Sequence, residues 1–480
     1  MRIRTAGLVA AALLALPVSA RAQQEMTTDT SVVRNAWGAR RSFGLAVGEV
    51  ALVNAIPWFF NEFIRGGNFT QVNPRSWVEN ISNGFFFDDN QFNTNFFAHP
   101  YHGSLYYSAA RSNGLSYWQS APFSLAGSFF WECCGETHPM AWNDWMATGI
   151  GGIAIGETLY RVSSTVLDNQ ATGPGRIGRE VGAFFIDPVR GFNRVVSGRA
   201  GRVYANPVDP QDHIPDHLSN YLRAGYRRIE SSVNTNDSKY EEGYGAPFVE
   251  FDMRFGDPFE DSRHKPFDQF QMDLKMNFGD ATFIGGFRIV GNLVTKDLSK
   301  SEGAHHLFVV TQNFDYNNTN VVEFGGQAFG AGILSKWRLS DSWSLRSDLN
   351  LHGYVLNSVN SEYAFSAEVP DREALRKYDM GAGAGTWLNL GVVRNGLEVF
   401  GLGYRLAWVH TLNGSNVNGG DTNHLVQSAI VRGAVPIVGR WGVGADAMGY
   451  LRDSYFEQIG FDDVEQKVGV VRVFGWFRTF

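Results

Sequence analysis

From about residue 215 to its end, the chain alternates apolar and polar side chains with a period of two. In Val249-Glu250-Phe251-Asp252-Met253-Arg254-Phe255 every odd position is apolar and every even one charged, which in an extended strand gives one greasy and one wet face. Phe270, Met272, Leu274, Met276 and Phe278 repeat this against Gln271, Asp273, Lys275 and Asn277; Trp343, Leu345, Leu349 and Leu351 do so against Arg346, Asp348, Asn350 and His352. Twelve such segments fall at 218–230, 246–257, 267–278, 281–295, 304–315, 321–339, 342–356, 378–393, 397–412, 423–437, 441–452 and 466–480. They are about twice as long as the usual strand of a soluble sandwich. Short links at Ser340-Asp341, Arg394-Asn395-Gly396 and Gly439-Arg440 alternate with long ones at 357–377, 413–422 and 453–465. Length, even number and link rhythm predict a transmembrane antiparallel β-barrel of about twelve strands over 217–480, short turns facing the periplasm and long loops facing outward. Glu250, Asp252, Arg254, Asp273, Lys275, Arg288, Arg346 and Asp348 fall on its expected inner face. Trp337, Trp343, Trp408, Trp441 and Tyr450, at strand ends, fit an interfacial girdle.

Before residue 215 the apolar period becomes helical. Ser42–Arg65 reads as a helix whose apolar face is broken by Glu49, Asn54 and Pro57. It is about long enough to cross a bilayer, yet its central carboxylate argues against exposure to lipid, so the apolar face is expected to bury against protein. Further helices are predicted at 91–112, 117–136, 142–167 and 176–196, the third opened by Asn143-Asp144 as a cap. Residues 66–90, with Gly66-Gly67, Asn73-Pro74 and Asp88-Asp89, read as loop. Gly149, Gly151, Gly152 and Gly156 lower helix propensity by up to about 1 kcal/mol each, which points to another backbone packed close by. The helical domain is thus expected over 43–200, joined to the barrel by a linker at 201–216. A barrel of about twelve strands has room for little more than one or two helices. One or two are therefore expected to plug it against its inward charges while the rest lie beneath; the alternative places the whole bundle in the periplasm.

The chain opens MRIRTAGLVAAALLALPVSARA, a basic start, a short apolar run and an Ala20-Arg21-Ala22 site. That is the pattern of a secretory signal peptide, 1–22, cleaved before Gln23; 23–42 is polar and unpatterned and reads as a flexible lead. Losing Arg2, Arg4 and Arg21 leaves 38 basic against 48 acidic residues, a net of −10. A nucleic-acid partner is excluded by that balance and by the lack of a basic cluster. The only cysteines are the adjacent Cys133 and Cys134. Neighbours rarely reach disulfide geometry, so both read as small buried apolar side chains.

Polar residues inside the apolar helices carry whatever chemistry there is. His99, His102 and Tyr106 share one helical face, as do Glu132 and Glu136; Glu157 and Arg161 repeat the spacing with opposite charge, and Asp144 with Thr148 makes a fourth pair. A lone buried carboxylate costs several kcal/mol, so each must find a partner or take up a proton. Arg111, Arg161, His99 and His102 are the local cations, and a polar network pairing them with the glutamates is the simplest expectation. A di-metal carboxylate site would want Glu-x-x-His on each of two helices; here Glu136-Thr137-His138 is off by one residue and has no second copy. His-Glu-x-x-His is absent. No metal and no cofactor is expected. Ser104 and Ser128 could in principle serve His99 or His102 in acyl-ester hydrolysis, although no Gly-x-Ser-x-Gly elbow is present.

The runs FFAHPYHGSLYYSAARSNG, GSFFWECCGE, NDWMATGIGG and GETLYR together resemble a bacterial outer-membrane family catalogued as a domain of unknown function, over roughly residues 40–200. The resemblance implies a helical domain ahead of barrel strands and no assigned reaction; it falls on His99, Gly103, Tyr106, Glu132, Glu136, Asp144, Gly152, Glu157 and Arg161. The final strand VGVVRVFGWFRTF carries Val468, Val470, Phe474 and Trp476 on one face, interrupted by Arg472 and Arg478, and ends in Phe480. It resembles the C-terminal strand of bacterial outer-membrane proteins, which implies outer-membrane lipid and the barrel assembly machinery as partners. Two function classes follow. The favoured one is a non-enzymatic envelope barrel in transport, adhesion or structural support; the other is a lipid or lipopolysaccharide acyl hydrolase or transferase using His99 with Glu132 or Glu136.

Overall fold

The computed structural model describes residues 35–479 except 89, 236–238, 262–264, 364–375, 413–414, 416–420 and 459. The signal segment, the lead as far as residue 34 and Phe480 lie outside the described residues. Two compact units are present. One joins the described residues up to Asp88 to Phe97–Asp216; the other joins the segment 90–96 to the chain from His217 onward.

In the helical unit, α1 (Phe43–Phe59) is prolonged by a π-helical turn, Phe60–Arg65. Then come α2 (Pro74–Asn83), α3 (His99–Ser112), α4 (Tyr117–Phe130), α5 (Trp142–Met146), α6 (Gly152–Val166), α7 (Gly173–Ile186) and α8 (Pro188–Val196). The helix α2 falls where a loop was expected. Asn73-Pro74 is its start signal: Asn73 Oδ1 accepts from the Arg75 and Ser76 amides and Pro74 fills the first turn. The end of the lead is not loose, because Trp37 is buried against Tyr160, Leu167 and Ala183 and its Nε1 donates to the Asp212 carbonyl at 2.6 Å. The expected close approach of backbones is where the glycines placed it. A Cβ on Gly103 of α3 would overlap the Thr148 carbonyl oxygen, and one on Gly152 would overlap Gly103.

The second unit is a closed antiparallel barrel of twelve strands, each paired with its sequence neighbours. They are β1 (Leu218–Asn234), β2 (Lys239–Phe255), β3 (Phe270–Asn277), β4 (Ile284–Lys300), β5 (Ala304–Asn318), β6 (Glu323–Arg338), β7 (Trp343–Asn360), β8 (Tyr378–Arg394), β9 (Leu397–Thr411), β10 (Thr422–Val438), β11 (Trp441–Phe456) and β12 (Val464–Arg478). Closure comes from β12 against β1, with Val470 opposite Ile229 and Arg478 opposite Tyr221. This leaves no free edge, the condition for strands to stand in hydrocarbon.

Inside and outside are decided by cross-lumen pairs. Arg254 of β2 meets Glu398 of β9 at 2.9 Å, Arg405 of β9 meets Asp315 of β5 at 3.8 Å, and Arg472 of β12 meets Glu250 of β2 at 2.7 Å. On the opposite face Leu351, Val471 and Val473 are 66%, 56% and 57% exposed. The face of the last strand carrying Trp476, Phe474, Val470 and Val468, whose direction the sequence left open, is the inner one, and Arg472 on it joins the lumen network with Glu250 and Asp446. One expectation changes: Tyr450 points inward, because it shares its face with Asp446 and Arg452; it is not part of the girdle, to which the exposed Trp343, Trp408 and Trp441 remain.

The inward charges find partners on other strands. Glu250 is shared by Arg223 at 2.7 Å, Arg472 at 2.7 Å and Arg432 at 3.7 Å. The link between β2 and β3, long although it lies at the short-turn end, also turns toward the lumen: Asp257 binds Arg346 at 2.9 Å and Glu260 binds Lys336. Toward the long-loop end an apolar cluster of Ile229, Tyr354, Val409, Val426, Tyr450 and Val468, with Val321 and Val322 from the link between β5 and β6, lies beside the buried pairs Asp379–His424 and Glu362–Arg452.

The segment 90–96 lies on the outer wall. Phe92 stacks on Tyr316 and meets Tyr378 edge-on, Asn95 Nδ2 donates to the Tyr378 hydroxyl at 2.8 Å, and that hydroxyl donates to the Asn90 carbonyl. Tyr316 follows the inward Asp315, and Tyr378 precedes Asp379, which pairs inside with His424 at 3.1 Å. Strand alternation therefore points both tyrosines outward.

Removing one member of a buried ion cluster leaves the others uncompensated, typically at about 3–5 kcal/mol. Glu250→Ala is therefore expected to lower the temperature at which the folded barrel converts to its slower-migrating form in a heat-modifiability gel, by more than Glu230→Ala at an exposed site.

Candidate functional site

A ladder two residues long frames the site. Phe85–Phe86 pairs in parallel with Met140–Ala141, so the two chains, a step further on, deliver Asp88 beside Asn143 and Asp144. Asn143 Nδ2 donates to Asp88 Oδ1 at 2.6 Å and to Asp144 Oδ1 at 2.7 Å, while its Oδ1 accepts from the Asp88 amide at 3.0 Å. Neither Asn143 nor Asp144 is a cap as expected: α5 starts one residue earlier, after Ala141, which leaves both side chains free to turn inward. His99, first residue of α3, stands with Nε2 3.4 Å from Asp144 Oδ2. Glu132 Oε2 accepts from the Ala141 amide at 2.8 Å, on the same ladder. From α2, Asn80 Nδ2 donates to the Glu136 carbonyl at 2.9 Å and reaches those of Glu132 and Cys133 at 3.4 Å, which anchors the turn bearing both glutamates.

Three π-helical turns flank these residues along the chain. Thr94–Ala98 ends at His99, Trp131–Gly135 contains Glu132, and Ala147–Gly151 begins shortly after Asp144. Such turns re-aim side chains and concentrate at functional positions. In the middle one Cys133 and Cys134 are joined as a vicinal disulfide, not the two separate thiols expected, because the turn brings the adjacent sulfurs together.

Four carboxyl groups, Asp88, Glu132, Glu136 and Asp144, act on one another here. Burial, then the neighbouring Asp88 and Glu132, pushes Asp144 well above the usual carboxylate range. Burial and Glu136 do the same to Glu132, and Glu136 itself is pushed up to about 8 by burial and Asp88. Burial lowers His99, and lowers His102 to about 4 with the help of His99. Near pH 7 the cluster therefore holds protonated carboxyls beside neutral imidazoles. It can donate, accept and store protons.

The expected pairing with arginine forms at Glu157, whereas among the described residues no histidine or arginine forms an ion pair with Glu132 or Glu136. Arg111 and Arg161 both go to Glu157, at 2.8 Å each, and Tyr107 donates to the same carboxylate at 2.6 Å. Burial opposes the charge on Glu157, but the two guanidiniums prevail and hold it below its ordinary value. Tyr106 donates to Asn54 Oδ1 at 2.7 Å, and its ring packs 4.8 Å from that of His102. Ser104 donates to the Tyr101 carbonyl, and Ser128 Oγ has no hydrogen-bond partner, so no histidine activates either serine. Among the described residues no group of three His, Cys, Asp or Glu is placed to hold a metal.

Of the sequence candidates, His99, Glu132, Glu136 and Asp144 come together, while Arg111, Glu157 and Arg161 form a second cluster. Asp88 and Asn143 were missed as members of the site. The signal for Asp88 lay in the run read as loop, where only the ladder brings it into place. Asp187, which accepts from the Ser108 hydroxyl at 2.6 Å, and Arg190, which donates to Ser163 and Ser164, were also missed.

The model of the family described as Domain of unknown function (DUF3943) matches residues 84–189. The DUF3943 segment contains the ladder, both clusters and the Gly103–Gly152 crossing. No curated protein matches the chain. Solved structures similar to it are outer-membrane barrels. The toluene transporter TodX of Pseudomonas putida is 8% identical, covering 56% of this chain and 92% of that one at a TM-score of 0.21. The COG4313 outer membrane channel of Pseudomonas putida F1 is 9% identical, covering 56% and 100% at 0.28. The outer membrane protease OmpT of Escherichia coli is 9% identical, covering 55% and 97% at 0.20. Likeness at this level speaks to nothing finer than the barrel.

Two outcomes follow from this geometry. A carboxyl whose pKa is raised from 4.5 to about 8 on folding gives stability that is full below about pH 4.5 and lost as pH rises toward 8. Above about pH 7.5 the histidines are largely neutral in both states, so chemical denaturation of the helical unit followed by tryptophan fluorescence should show stability falling as pH rises toward 8, and Glu136→Gln should flatten that slope. A slope unchanged in Glu136→Gln would count against the assignment. Alanine for glycine in a helix is ordinarily favourable by about 1 kcal/mol; Gly103→Ala is expected to reverse that sign and cost about 1–3 kcal/mol in the same assay, since backbone atoms and not a movable side chain stand in the way.

Proposed function

We propose that the chain is an outer-membrane barrel of the transport or structural class, held shut in the state described. The observation that carries this reading is that inward side chains pair and pack with one another toward both ends of the barrel. The Glu250, Arg223, Arg432 and Arg472 cluster and the folded link at Asp257 and Glu260 occupy the short-turn end, and the apolar packing around Tyr354 and Tyr450 the other. Passage through such a lumen requires side chains to give way. The outward apolar face takes outer-membrane lipid as its solvent, and the strand that ends in Phe480 is the one offered to the barrel assembly machinery. The hydrolase or transferase alternative gains nothing from the site: His99 faces Asp144, and neither serine is bonded to an imidazole.

Planar-bilayer recording of the refolded chain tests this. The unaltered protein is expected to give no steady conductance, and the double variant Tyr354→Gly, Tyr450→Gly to give a measurable one. Steady ohmic current through the unaltered barrel would overturn the reading.

A further inference from the structure

The helical unit is built inside out. On α8 the buried residues are Arg190, Gly191, Asn193 and Arg194, whereas Val195 and Val196 are 62% and 69% exposed. On α1 the buried residues are Ala46 and Asn54, and Glu49 and Glu62 turn toward protein partners: Glu49 accepts from Asn193 at 2.7 Å, Glu62 from the Thr70 hydroxyl at 2.6 Å. Meanwhile Leu45, Ile56 and Phe63 are 58%, 61% and 64% exposed. Over Phe43–Arg65, 23 residues of mean hydropathy 1.6, only 11% of the most apolar stretch is buried. The expectation that this face packs on protein is thus overturned, and its central carboxylate, which argued against lipid, is explained by Asn193.

Water does not select such an arrangement, since each exposed Leu, Ile or Phe forgoes about 1.5–3 kcal/mol of burial. Hydrocarbon does: there, apolar side chains face out while ionisable groups turn inward and pair. We infer that the exposed faces of α1, α7 and α8 contact the acyl chains of the membrane that holds the barrel. Two further features identify lipid as the occupant. The helix Phe43–Arg65 is about 34 Å long, close to the thickness of the hydrocarbon core. Exposed arginines stand at both of its ends, Arg40 and Arg41 before it and Arg65 at its close, where guanidiniums can reach headgroup phosphates. A second copy of the chain would cover the faces equally well but would have no use for arginines at the two helix ends.

Photocrosslinking separates the occupants. With p-benzoylphenylalanine in place of Phe63, Phe184 or Phe192, one position per variant, the refolded full chain is irradiated in vesicles of phosphatidylethanolamine and phosphatidylglycerol and analysed by intact mass. Val473 on the outer barrel wall serves as the lipid-facing control and Tyr450 as the lumen control, with heat-modifiability confirming that each variant folds. Phospholipid adducts at the three helical positions, at yields within about threefold of Val473, are expected. Adducts at Val473 but not at the helices would overturn the inference, and so would chain-to-chain adducts at the helical positions.

Discussion

Backbone hydrogen bonds without water are the constraint on which the barrel depends. Every N–H and C=O of a strand in hydrocarbon needs a protein partner, and each one left over costs several kcal/mol. Twelve strands meet that demand only because β12 closes on β1 from Glu465 opposite Asn234 to Arg478 opposite Tyr221. Once the ring is closed, alternation sends half of the side chains into a narrow space. The charges gathered there compensate one another across the lumen, Arg254 with Glu398 and Arg472 with Glu250. Closure and inner charge pairing are one consequence.

The helical unit answers a related demand in another way. Its buried residues include many Ser, Thr, Asn, Arg and carboxylates beside apolar groups such as Trp37, Tyr107, Ile155 and Leu167, so hydrogen bonds and close backbone approach add to apolar packing. Ser124 Oγ bonds the Gly103 carbonyl at 3.1 Å and reaches that of Thr148 at 3.3 Å, at the crossing of α3 with the turn before α6. Two clusters within it illustrate two solutions for a buried carboxylate. Glu157 keeps its charge because two guanidiniums and a phenol reach it. Glu132, Glu136 and Asp144 have carboxylates for neighbours, and hold protons instead. Composition is similar in both; geometry decides which one is ionic.

Much of this was legible along the chain. Period-two alternation, strand length and link rhythm marked twelve strands close to where they stand, and the inward charges from Glu250 to Asp348 were named correctly, because a pleated strand has only two faces and one cannot be polar in hydrocarbon. The glycines at 149, 152 and 156 announced close packing for a comparably local reason, the absence of a Cβ. The candidates His99, Glu132, Glu136 and Asp144 were found from their improbable setting among apolar residues. Tyr450 was misread, and the direction of the last strand left open, because aromatic residues suit both an interface and a packed lumen, and only the register tells which.

What the chain by itself determined is therefore whatever follows from local periodicity: the barrel, its strand number and its two faces. Partnership between distant residues was decided by the tertiary structure. That Arg111 joins Arg161 on Glu157 and leaves Glu132 to a proton, that a ladder two residues long carries Asp88 to Asn143, and that Glu49 turns to Asn193 while its helix shows Leu45 and Ile56 outward all depend on separations of tens to more than a hundred residues. A buried charge is stabilised by whichever group lies within about 4 Å of it in space, and spacing along a sequence holds that information only within a helical turn or across a strand.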